Sequence, residues 1–150
     1  MPLLKEDTYT IEDIYALPEG ERAELIDGQI YYMAPPNTRH QRISNFLSWT
    51  ITNYIHANKG QCEVFAAPFA VYLDESTNTY VEPDISVICD PNKLNDKGCN
   101  GAPDWIVDPD KSRIIVYNFE QSTMDEYSFT DSVKAGIYSD LLIDFSVLSF

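Results

Sequence analysis

Tyr80-Val81-Glu82-Pro83-Asp84-Ile85-Ser86-Val87-Ile88-Cys89-Asp90 is an apolar strand carrying a carboxylate directly after a proline. Pro83 has no N–H to donate, so this end of the strand is an opening in a sheet rather than the middle of a ladder. Side chains alternate between faces, which puts Asp84, Ser86 and Ile88 on one side and Ile85, Val87 and Cys89 on a core-facing side. A charged aspartate on such a strand is costly unless it is paired, hydrogen-bonded or metal-bound. Read alone, Asp84 fits a turn cap or a partner for an arginine equally well, and the flanking chain has to decide.

Upstream, Ala23-Glu24-Leu25-Ile26 and Gln29-Ile30-Tyr31-Tyr32-Met33 flank Asp27-Gly28, a pair suited to the positive φ angles of a type I′ hairpin turn. That turn pairs Leu25 with Ile30 and Ala23 with Tyr32, leaving Glu24 on the opposite, mixed face. Thr10 can cap a short helix over 8–17, stopped at Leu17-Pro18-Glu19-Gly20. Thr38-Arg39-His40-Gln41 has capping-box spacing. Ile43, Phe46, Leu47, Ile51, Tyr54 and Ile55 follow at helical intervals up to Lys59-Gly60, which predicts the principal helix, with His40 in its first turn.

Residues 61–66 and 69–73 read as strands interrupted at Ala67-Pro68, and the proline-, glycine- and asparagine-rich stretch 90–103 reads as a surface loop. Trp105-Ile106-Val107, a turn over Asp108-Pro109-Asp110-Lys111, and Arg113-Ile114-Ile115-Val116-Tyr117 predict a second hairpin. Glu126-Tyr127-Ser128-Phe129 predicts one further strand, and the apolar face of residues 137–148 should dock the C-terminus. One long helix among several strands is an α+β arrangement within a single domain.

The 150 residues are 44% hydrophobic, enough for a packed core, and 24 acidic against 10 basic residues give a formal charge of −14. Long-range electrostatics therefore oppose nucleic acid and anionic membranes, so any DNA contact needs a local basic patch or a divalent cation. Cys62, Cys89 and Cys99 are odd in number and lack metal-ligand spacing, so free thiols are expected. Without an apolar leader or a run of membrane-spanning length, the expectation is a soluble, cytoplasmic protein.

Taken in order, Glu24-Leu25-Ile26-Asp27-Gly28, Met33-Ala34-Pro35-Pro36, His40-Gln41, Val64-Phe65-Ala66-Ala67-Pro68-Phe69, Pro83-Asp84-Ile85, Gly101-Ala102-Pro103-Asp104 and Ile106-Val107-Asp108-Pro109 resemble the Uma-type restriction endonuclease family of the PD-(D/E)xK nuclease superfamily. The resemblance implies a restriction-endonuclease-like α/β core with a mixed sheet, and Mg²⁺- or Mn²⁺-dependent hydrolysis of DNA phosphodiesters. It makes Asp84 the first metal carboxylate and Glu24 an accessory acid near the metal, with His40 and Gln41 bordering the site. Between Asp104 and the Trp-Ile-Val-Asp-Pro strand the family carries another strand with the second metal carboxylate, then a helix with a lysine. Here the flanks are fused at Trp105, as if one strand and one helix, roughly 20–35 residues, had been removed.

The expected consequences are an impaired or inactive endonuclease, or alternatively a non-catalytic binding module, with apolar surface covered by rearrangement or by self-association such as a homodimer. Position 108 bears on this choice. If the fused strand moves beside the Asp84 strand, Asp108 becomes a surrogate metal ligand with Lys111 near the mouth of the site; otherwise Asp108-Pro109-Asp110 is simply a turn.

Overall fold

The computed structural model describes residues 8–74, 78–109, 113–119, 121–128, 132–134 and 141–145. Its order begins with α1 (Ile11–Tyr15), β1 (Ala23–Ile26), β2 (Gln29–Tyr32), α2 (Thr38–Ala57), β3 (Glu63–Ala66), β4 (Val71–Asp74), β5 (Thr79–Val81) and β6 (Ile85–Ile88). After a 3₁₀ turn come β7 (Leu94–Asn95), β8 (Gly98–Asn100), β9 (Trp105–Pro109), β10 (Arg113–Asn118), β11 (Thr123–Ser128), β12 (Ser132–Lys134) and β13 (Leu142–Asp144).

The strands form two principal sheets, ordered β2-β1-β5-β4-β8-β7 and β11-β10-β9-β6-β3, with β12 and β13 as a separate pair. The first sheet is mixed, because β4 and β8 run parallel while its other pairs are antiparallel. The Asp27-Gly28 hairpin has the predicted register, Leu25 opposite Ile30 and Ala23 opposite Tyr32, with φ of 49° and 78° at the two turn residues. Glycine takes the second of these angles without the Cβ clash that other residues meet.

Helix α2 lays Ile43, Leu47, Ile51 and Ile55 against Ile85, Val87, Trp105, Val107, Ile114 and Val116 of the second sheet, and Leu141, Ile143 and Phe145 close the same core. Of the apolar face predicted over 137–148, residues 141–145 dock as expected, and the remainder lies outside the described residues. Ile88 joins Val71 and Cys99 in a smaller cluster with Phe65 and Leu94. All four residues of β6 are buried, so this strand has apolar packing on both of its faces.

Several local expectations are corrected. The cap of α2 is Asn37, one residue before the Thr38 box, and its side chain accepts from His40 N–H. The expected free thiols of Cys62 and Cys89 form a disulfide, leaving Cys99 free and buried. Register explains the bond: Glu63 lies opposite Ile88, so each cysteine sits one residue beyond the ladder and facing the other. The expected loop over 90–103 contains the small β7-β8 hairpin. It is drawn onto β4 where Cys99 N–H donates to Ala70 O, at an approach so close that a Cβ on Gly98 would collide with Ala70 O.

The largest correction is at the seam. Asp108 is not a turn residue; it lies within β9, opposite Ile115 of β10. On its other side β9 pairs with β6, Ile85 opposite Val107 and Val87 opposite Trp105. The strand that begins at Trp105 is thus the direct neighbour of the Asp84 strand. Asp110 and Lys111, the remainder of the predicted turn, lie outside the described residues.

Candidate active site

Glu82-Pro83-Asp84 is where the chain passes from β5 in one sheet to β6 in the other. Proline permits this because it leaves no ladder donor unpaired at the crossing. Extending the β6-β9 register by one residue places Asp84 opposite Asp108, and Asp84 N–H donates to Asp108 Oδ1 at 2.9 Å. Two carboxylates on neighbouring strands therefore meet at the open end of the sheet.

The first turn of α2 points at the same place. Asn37 fixes the helix start, and His40 Nε2 lies 3.2 Å from Asp84 Oδ2. From the first sheet, β1 contributes Glu24, whose Oε1 accepts from Glu82 N–H at 3.1 Å. Arg22, two residues earlier, donates from Nε to Glu82 Oε2 at 3.3 Å. The three acids and the histidine singled out in the sequence are thus gathered around one crossing. Sequence reading missed Arg22 and Glu82; Arg22 lies one residue before the predicted strand, and only extending that strand by one position would have put it on the face of Glu24.

The electrostatics follow from burial and like charge. Asp108 is mostly buried, which is the main reason its pKa is pushed up from 3.8 to about 7; the Asp84 N–H pulls it down, while the charges of Asp84 and Glu24 push it further up. Glu24 is raised for the same leading reason, burial. The Glu82 N–H opposes that shift, the charges of Glu82 and Asp84 add to it, and Arg22 opposes it. The carboxylates consequently feel one another although they come from different sheets.

A cleft of about 360 Å³ opens here, lined by Arg22, His40, Gln41, Ser44 and Asp84 among others. Asp108 and Glu24 are not part of that lining; each is tied to the Glu82–Asp84 crossing by the hydrogen bond it accepts. A larger cavity of about 460 Å³, lined by Tyr15, Tyr72, Tyr80 and Lys97, contains none of these acids.

Carboxylate oxygens are the donors that Mg²⁺ and Mn²⁺ take. Among the described residues no group of three or more His, Cys, Asp or Glu is placed to hold an ion as a ready-made cage. Mg²⁺ is ordinarily bound by one or two carboxylates with water and substrate phosphate completing its shell. Asp84 with Asp108 fits that shared kind of site, with Glu24 behind. No lysine is present among the residues lining the cleft. No helix among the described residues is long and apolar enough to cross a membrane.

Comparison with known proteins agrees with this architecture. A family model, Uma2, described as "Putative restriction endonuclease", matches residues 11–108. The uncharacterized protein slr1290 of Synechocystis is 38% identical over 73 residues, which are 49% of this chain and 37% of that protein's length. The crystal structure of a "putative nuclease belonging to DUF820" from Anabaena variabilis superposes with a TM-score of 0.64 at 17% identity, covering 91% of this chain and 94% of that one. At that identity the likeness shows the fold.

Proposed function

The chain belongs to the Uma2 family of restriction-endonuclease-like proteins, and from that premise we propose that it is a metal-dependent DNA endonuclease of low turnover. The observation that carries the proposal is the pairing of Asp84 with Asp108 across β6 and β9. It supplies a second carboxylate where the fused sequence lacks the family's usual one.

In this reading Asp84 and Asp108 hold the divalent ion, and Glu24 adds negative charge behind them. When bound, the ion offsets phosphate charge and acidifies a water ligand. The chain's own residues do the rest. Asn37 fixes the first turn of α2, and the imidazole there orients Asp84 through Nε2, limiting the rotamers open to the carboxylate. Pro83 keeps the crossing open, and the polar face of Gln41 and Ser44 gives a wettable wall for a charged backbone.

Low turnover follows from a cleft lined by no lysine among the described residues. A positioned proton-transfer group contributes about 10²–10⁴-fold to rate, and Arg22, which lines the cleft, is permanently charged and cannot take that part. We therefore expect slow nicking of supercoiled plasmid in Mg²⁺ or Mn²⁺ at high protein concentration, with at least tenfold loss for Asp84→Ala. Nicking unchanged by Asp84→Ala would reject the site. A wild-type chain that binds metal and DNA without nicking would decide for the second reading, a non-catalytic binding module.

A further inference from the structure

Among the described residues the Arg22 side chain has one hydrogen-bond partner, Glu82, reached through Nε, while its backbone C=O accepts from Met33 N–H. Its Nη2 is buried without a partner among the described residues, although the guanidinium has five N–H donors in a fixed fork. Leaving such a donor unmatched away from water is costly, more so for a charged group. The side chain is one-third exposed and lines the same cleft as Asp84 and His40.

Its placement relative to the acids is informative. Arg22 is near enough to lower the pKa of Glu24 through charge, yet it forms no ion pair with Glu24, Asp84 or Asp108. Glu82 holds it back. Glu82 is itself buried and gives its backbone N–H to Glu24, so the Arg22 head is tethered at one edge and cannot collapse onto the neighbouring carboxylates. An arginine anchored through Nε, with the exposed third of its side chain lining an acidic cleft, presents a fixed positive charge and an N–H donor to an incoming anion.

Resting on the nuclease reading above, we propose that Arg22 is the phosphate-positioning residue of this cleft, gripping a non-bridging oxygen of the DNA backbone next to Asp84. It supplies a positive charge inside a chain of net charge −14, where long-range attraction for DNA is absent. Being permanently charged, it acts by positioning and takes no proton in the reaction.

The test measures binding separately from cleavage. Fluorescence anisotropy of a short labelled DNA duplex, in Ca²⁺ and across a salt series, compares wild type with Arg22→Gln, Arg22→Lys and Glu82→Gln. Arg22→Gln should weaken binding roughly tenfold and reduce the salt slope by about 0.9, one phosphate contact. Arg22→Lys should keep the slope while losing part of the affinity, and Glu82→Gln, which frees the guanidinium from its carboxylate, should tighten binding. Circular dichroism of each variant separates loss of contact from loss of fold. Equal affinity and slope for wild type and Arg22→Gln, or no DNA binding by wild type, would overturn the proposal. Arg22-dependent binding without any nicking would leave it standing while the endonuclease reading fell. Normal nicking with an Arg22-independent slope would do the reverse.

Discussion

Asp108→Asn is expected to make the metal-free chain more stable at pH 8, by on the order of 2–4 kcal/mol, even though it removes a proposed metal ligand. The Asp108 carboxyl is raised from 3.8 to about 7, chiefly by burial. Between those two values the folded chain holds a proton that the unfolded chain has released. Stability from this group is therefore fully present below about pH 4 and is lost as pH rises through about 7. Asparagine keeps an Oδ1 to accept from Asp84 N–H and carries no charge to bury at any pH. In urea unfolding with a chelator present, the midpoint difference between variant and wild type should grow from near zero at pH 4 to its full size at pH 8. An equal or lower midpoint for Asp108→Asn at pH 8 would show that burial and like charge do not govern this carboxyl. The same variant should lose divalent-ion binding, so the acid that makes the site also weakens the fold.

Trp105→Ala should remove about 3–5 kcal/mol, a large part of the 5–15 kcal/mol that typically separates folded from unfolded domains. Trp105 is fully buried and packs with the α2 face, and its backbone sits opposite Val87 on one side and Asn118 on the other. It stands in β9 between β6 and β10, so the loss is both a cavity and a loosened contact between those strands. Trp49, 63% exposed on α2, is the matched control, and Trp49→Ala should change stability by less than about 0.5 kcal/mol. Chemical unfolding followed by circular dichroism compares the two; similar midpoints would mean that β9 is not part of the cooperative core.

Much of this arrangement was legible in the chain. Asp27-Gly28 dictated its hairpin through a local backbone preference, and α2 followed from isoleucines and leucines at helical spacing, because both signals live within a few residues. Asp84 announced itself as a carboxylate next to a proline on an apolar strand. What escaped depends on partners distant in sequence. Asp108-Pro109-Asp110 has strong turn chemistry, but ladders to β6 and β10 on either side hold Asp108 in a strand. Cys62 and Cys89 face each other only once β3 and β6 are in register, and no spacing rule reports that register. The β7-β8 hairpin hides in a glycine- and asparagine-rich stretch because its stability comes from leaning on β4, while Arg22 became notable only when its side-chain partner was known.

The crossing at Glu82-Pro83-Asp84 also bears on the order of assembly. Within the second sheet, β3, β6, β9 and β10 are linked by pairings of modest sequence separation, such as Ile85 with Val107. The first sheet must bring Leu25 to Tyr80 across the whole of α2 and β3, and closing so long a loop has an entropic cost that must be met before the contact stabilises anything. Asp84 and Asp108 are therefore expected to meet in the earlier condensation of the helix-backed sheet, with Arg22 and Glu24 brought in afterwards. In the folded protein β1 and β5 share one register pair against three for β6 and β9, so β1-β5 is expected to exchange its amide hydrogens through smaller openings than β6-β9. Such breathing would part the arginine and the accessory acid from a carboxylate pair that stays intact, so the cleft would be dismantled from one wall only.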